Sequence, residues 1–139
     1  MFRRIAITAS SALLLAAGGA TSALAEHHLA SEDAADAETI AITLDNFSFG
    51  PQDLQLEAGK SYTLEFTNVG FPHDFTAAEF FAAAEIAPED AGKVMDGAVD
   101  VAPETTVTIH LVPAAGSYDI LCGKPGHADL GMTGTITVN

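Results

Sequence analysis

Apolar and polar residues alternate along most of the chain after position 39, in short runs broken by turn formers. Ile40, Ile42 and Leu44 are interleaved with Ala41, Thr43 and Asp45. The same two-residue period returns in Leu54-Leu56, Tyr62-Leu64-Phe66, Val107-Ile109-Leu111, Tyr118-Ile120-Cys122 and Thr135 to Val138. Because successive side chains of a strand point to opposite faces, each run predicts a half-buried β-strand. Gly50-Pro51, Ala58-Gly59, Pro113 to Gly116 and Gly123 to Gly126 separate the runs with residues that favour turns. Short strands with close turns and no crossover helices predict an all-β protein, a Greek-key β-sandwich.

One stretch breaks this rule. Ala77 to Ile86 carries Phe80, Phe81 and many alanines at helical spacing, which predicts one short helix in the connection before the late strands, with Pro88 beyond it. Asp90 to Asp100 predicts a polar loop that rejoins the sheet through Val99 to Val101.

The first 38 residues follow a different logic. Residues 1–25 read as a secretory signal peptide: Met1-Phe2-Arg3-Arg4 is a basic start, Ile5 to Ala20 is apolar and small, and Ala23-Leu24-Ala25 matches a small-x-small cleavage pattern. Thr8, Ser10, Ser11, Gly18 and Gly19 make that run a poor membrane anchor. Residues 26–38 have Leu29 as their one large apolar side chain and predict a flexible acidic leader. Residues 39–139 remain as a single domain. With 139 residues in all and 48% of them hydrophobic, one core fits and a second does not.

Charge narrows the partners. The chain has 5 Lys+Arg against 19 Asp+Glu, a formal net charge of −14, and loss of Arg3 and Arg4 with the signal brings the mature protein to −16. That field repels nucleic acid and anionic lipid, attracts a basic protein, and keeps a small protein soluble. Cys122 is the only cysteine, so an internal disulfide is excluded and the thiol needs burial, a metal or a second chain.

Candidate chemistry is concentrated around that thiol. Cys122, His127 and Met132 fall within eleven residues, between two predicted strands. A thiolate, an imidazole and a thioether are the soft and borderline donors that suit copper in its two oxidation states. His73 supplies a second imidazole, just after the strand that ends near Asn68. Pro72 fixes its own φ and restricts Phe71, which presets the approach to His73. The predicted metal ligands are thus His73, Cys122, His127 and Met132. His110 lies on the Thr106 and Thr108 face of its strand and is expected to face solvent. Met95 sits in the polar loop, further from the cysteine segment than Met132.

With these residues in view the chain resembles the cupredoxins, the type 1 copper proteins of the plastocyanin, azurin and rusticyanin kind. The likeness covers residues 39–139. It rests on the strand order, the upstream His73, and the Cys-x4-His-x4-Met spacing followed by Thr133-Gly134-Thr135-Ile136-Thr137-Val138 as a closing strand. It implies one copper ion, with Cys122 as the thiolate, His73 and His127 as equatorial imidazoles and Met132 as the axial ligand. It also implies that Asp74 ties the His73 segment to the cysteine loop by accepting the Gly123 N–H, and that the outer edge of His127 reaches the surface. Phe71, Pro72, Pro125, Gly126, Ala128, Leu130 and Gly131 would form an uncharged collar there, suited to brief docking.

The expected function is single-electron transfer in the periplasm, by a monomer, with a basic redox partner such as a cytochrome c-like protein or a copper or haem oxidoreductase. No enzymatic activity is expected: Cys122 and His127 on one loop lack an orienting Asn or an oxyanion segment. The alternative function is copper sequestration, tolerance or delivery in the periplasm, which the acidity that attracts cations also suits. It is supported by Glu26-His27-His28, a start that would chelate Cu(II) through nitrogen if cleavage follows Ala25.

Overall fold

The structure is a computed structural model and describes residues 36–139. The predicted signal peptide, most of the predicted leader, and with them His27 and His28, lie outside the described residues. In strand β1 (Glu38–Asp45) Ile42 and Leu44 are buried while Ala41, Thr43 and Asp45 are exposed, as the alternation requires. Strand β4 (Tyr62–Asn68) repeats the pattern, with Tyr62, Leu64, Phe66 and Asn68 all turned inward. The remaining strands are β2 (Ser48–Gly50), β3 (Asp53–Leu56), β5 (His73–Thr76), β6 (Glu85–Ile86), β7 (Ala98–Val101), β8 (Thr106–Val112), β9 (Gly116–Leu121) and β10 (Thr133–Val138).

These strands form two five-stranded sheets, ordered β2-β1-β4-β8-β6 and β3-β10-β9-β5-β7. From β2 to β9 consecutive strands alternate between the sheets, so neighbours in sequence lie in opposite layers. Two pairings are parallel, β1 with β4 and β3 with β10; the others are antiparallel. Ile42, Leu64, Phe66, Phe75, Ile109, Ile120 and Ile136 fill the space between the sheets. This is the all-β sandwich that the alternation predicts.

The register fixes which loops meet. Leu44 lies opposite Asn68, and Thr67 opposite Thr106, so the turn after β1 and the loop after β4 emerge at the same pole. Lys60, which donates to Glu38 at 2.6 Å, marks the other pole.

The helix is shorter than its spacing predicts. Helix α1 covers Ala78–Ala83 and buries Phe80 and Phe81, but Ala84 is already extended (φ −79, ψ 150). Glu85 and Ile86 leave the helix because they pair with Val112 and Leu111 of β8, where backbone hydrogen bonds replace those of a further turn. Among the described residues no helix is long and apolar enough to cross a membrane.

The loop after β6 also departs from expectation. Asp90 is 2% exposed rather than solvated. Its carboxylate accepts the backbone N–H of His110 at 2.8 Å, lies 2.7 Å from His110 Nδ1, and receives the Lys93 ammonium. His110, expected in solvent, is half-buried because this loop folds over its strand. Burial alone would raise the Asp90 carboxyl, but the Lys93 ammonium and the His110 N–H and ring outweigh it and hold the group below its ordinary value. A depressed folded value means that the stabilisation is complete above the unfolded pKa of about 3.9 and is lost as pH falls through the folded one. Asp90→Asn is expected to cost about 1.5–3 kcal/mol at neutral pH, the range for hydrogen bonds to a charged group. The loss should shrink in strong acid; urea unfolding at both pH values checks this.

Candidate metal centre

The site grows out of a polar residue at an inward strand position. Asn68 follows Tyr62, Leu64 and Phe66 on the core face of β4 and is fully buried. Its Nδ2 donates to the Phe71 and Val101 carbonyls, both at 2.7 Å, and its Oδ1 accepts the Gly70 N–H at 2.8 Å. Asn68 therefore shapes the loop Val69–Pro72 and delivers His73 to the first position of β5, where its side chain is 1% exposed.

Cys122 follows β9 and is buried. The segment from Cys122 to Met132 closes on itself: the Cys122 N–H donates to the Met132 carbonyl at 3.0 Å, and the Met132 N–H to the His127 carbonyl at 3.1 Å. Gly126 has φ +80, a left-handed conformation that favours glycine just before His127. Met132 is wholly buried and belongs to the core.

Three donors converge. His73 Nδ1 and His127 Nδ1 are 3.1 Å apart, and Cys122 Sγ lies 3.8 Å from the first and 3.4 Å from the second. A point equidistant from the three atoms is about 2.0 Å from each, close to metal–imidazole lengths of about 2.0 Å and a little under metal–thiolate lengths of about 2.3 Å. The donors thus fit one metal ion in both size and softness. Burial, and then the nearby His127, push the His73 imidazole below its ordinary value, which favours the neutral ring a metal needs.

Asp74 holds the two ligand segments together, as the resemblance implies. Its carboxylate accepts the Gly123 N–H at 2.6 Å and the Thr76 hydroxyl at 2.8 Å. Lys124 extends the tie. It lies 3.5 Å from Asp74 and bonds Asp100, and the hydrogen bond to Asp100, outweighing burial, raises its ammonium above the ordinary value.

Two residues that the alternation left unremarked also reach the site. Asn46 Oδ1 lies 3.2 Å from His73 Nε2. Phe47 sets its ring edgewise against His127 at 4.9 Å and His73 at 6.5 Å between centroids. Nothing in the strand period marks this turn, whereas Asn68 was detectable as a polar residue in an inward place.

The surface above His127 is apolar and open. Phe71 and Leu130 are 61% and 63% exposed, and His127 and Ala128 are half-buried. Asp129 is the one acid between Pro125 and Gly131. Met95 is exposed and bridges to Ala98 in its own hairpin, whereas Met132 is buried.

Among solved structures the fold resembles a dithionite-reduced auracyanin from the photosynthetic bacterium Roseiflexus castenholzii, with TM-score 0.56 and 23% identity, covering 74% of this chain and 98% of that one. Auracyanin B matches with TM-score 0.54 and 22% identity over 74% of this chain and 89% of that one. Auracyanin A, a "blue" copper protein from Chloroflexus aurantiacus, matches with TM-score 0.51 and 23% identity over 73% and 98%. At such identities the likeness concerns the fold. No curated protein matches the chain. The cupredoxin-like domain matches residues 11–138, nearly the whole sequence, and the chain therefore belongs to the cupredoxin-like family.

Proposed function

We propose that this protein binds one copper ion, which His73, Cys122 and His127 would hold with Met132 as a weaker fourth donor, and carries single electrons between redox partners. The observation that carries the reading is the triangle of one sulfur and two nitrogens, sized for a single ion. Bound copper supplies a one-electron couple between Cu(I) and Cu(II). The protein's part is to keep the donors in place through that change, and the Asn68, Asp74 and Asn46 contacts do so from three separate segments. Little rearrangement means a small barrier to exchange.

The apolar face over His127 is the docking surface in this reading, and the surplus of 19 acids over 5 bases favours a basic partner such as a cytochrome c-like protein. The sequence of residues 1–25 supports an exported, periplasmic carrier, and in this reading it works as a monomer. Copper sequestration or tolerance is the competing use, carried by His27 and His28 and by the acidity that attracts cations. Electron-exchange rates with cytochrome c, measured beside the copper sensitivity of a deletion strain, separate the two. Slow exchange together with copper sensitivity would reverse the choice.

Asp74 tunes the couple. Its carboxylate lies next to the ligands and favours the more positive Cu(II), while Lys124 offsets part of that charge. Asp74→Asn is expected to raise the reduction potential by tens of millivolts, on the order expected for one partly screened charge near the metal. Redox titration reads this directly, and an unchanged or lower potential contradicts it.

A further inference from the structure

We infer that Asn46 is the positioning residue that fixes His73 in the tautomer able to bind a metal, an inference that rests on the copper reading above. Asn46 belongs to the turn between β1 and β2, and its own N–H donates to the Asp45 carboxylate at 2.7 Å. The oxygen and nitrogen of an asparagine amide look alike, so the orientation has to come from a partner of known polarity. Phe71 provides one. Its backbone N–H can only donate, and it points at Asn46 Oδ1 from 2.9 Å, so that atom is the oxygen.

The same oxygen faces His73 Nε2 at 3.2 Å. An amide oxygen only accepts, so the proton of the neutral imidazole sits on Nε2. A neutral ring has one N–H, and Nδ1 is left with its lone pair. Nδ1 is the atom that faces Cys122 Sγ and His127 Nδ1. Asn46 thus chooses which ring nitrogen is free, as the outer hydrogen bond of a metal-binding histidine does.

Gly70 supplies an independent sign that the amide is meant to be there. A Cβ at residue 70 would run into Asn46 Oδ1 and crowd its Cγ at 2.9 Å. The Gly70 N–H is meanwhile held by Asn68, so the backbone cannot swing away without losing that bond. The bare α-carbon leaves room for the Asn46 side chain between the loop after β4 and the His73 ring.

The test begins on the metal-free, nitrogen-labelled full chain, using two-bond proton–nitrogen spectra at about pH 8, above the ordinary imidazole range. His73 is expected to carry its proton on Nε2; a proton on Nδ1 overturns the inference without any variant. Asn46→Ala should give mixed tautomers and lower Cu(II) affinity by about 10–100-fold, the usual cost of losing an outer-shell partner. Asn46→Asp keeps the acceptor and should retain both tautomer and affinity. Gly70→Ala, which leaves Asn46 present but displaced, should reproduce the loss. An Asn46→Ala protein with the wild-type tautomer and Cu(II) affinity within about twofold, far short of an outer-shell effect, refutes the assignment. Wild-type protein that shows the Nε2 proton but takes up no Cu(II) supports Asn46 as the positioning residue and retires the copper reading instead.

Discussion

Cys122→Ser is expected to abolish the intense visible absorption of the Cu(II) form and to remove most copper binding. The sulfur is the one anionic donor of the triangle and lies 3.4 and 3.8 Å from the two imidazole nitrogens. A serine hydroxyl is nearly isosteric but hard and neutral at physiological pH, so it offers neither thiolate charge nor the softness that Cu(I) prefers. The loss in affinity should exceed the roughly 10–100-fold typical of residues that act on a metal from outside its ligand set. Leaving a hydroxyl at this buried position costs about 1–3 kcal/mol, too little to unfold a well-packed sandwich. Titration with Cu(II), followed by absorption and circular dichroism, separates loss of the site from loss of the fold. A folded Cys122→Ser protein with unchanged colour would end the copper reading.

The second large effect concerns stability. Phe75 lies two residues beyond His73 on β5 and is fully buried. Its ring packs at 4.8 Å from Phe66, 5.4 Å from Phe49 and 6.3 Å from Phe81, so both sheets and the helix lean on it. Phe75→Ala removes that common contact and leaves a cavity no neighbour fills without moving, at an expected cost of about 3–5 kcal/mol. Urea unfolding of the metal-free protein measures it apart from any contribution of copper. A cost under about 1 kcal/mol would show that the surroundings collapse onto the gap, against the range for such truncations.

The first effect concerns a residue that the sequence makes visible; Phe75 lies in β5, a strand that no alternating run predicted. A strict period of two put Phe66 and Leu64 inside, and the clustering of Cys122, His127 and Met132 on one predicted loop marked the donors. Other features depend on contacts far apart in the chain, which no local pattern encodes. His110 obeys the alternation and points away from the core, yet Asp90 arrives from a distant loop and covers it. The helix ended early because β8 offered Glu85 and Ile86 a pairing that helical spacing cannot foresee. Asn46 is ordinary as a turn residue. Its significance appears only when Phe71 and His73 are brought to it from 25 and 27 residues away.

The placement of β10 bears on biosynthesis. This last strand lies between β3 and β9 in its sheet, rather than at an edge. A nascent or prematurely terminated chain lacking Thr133–Val138 would leave two strands with bare hydrogen-bonding edges and an open wall beside the donors. Such fragments would be natural targets for proteolysis.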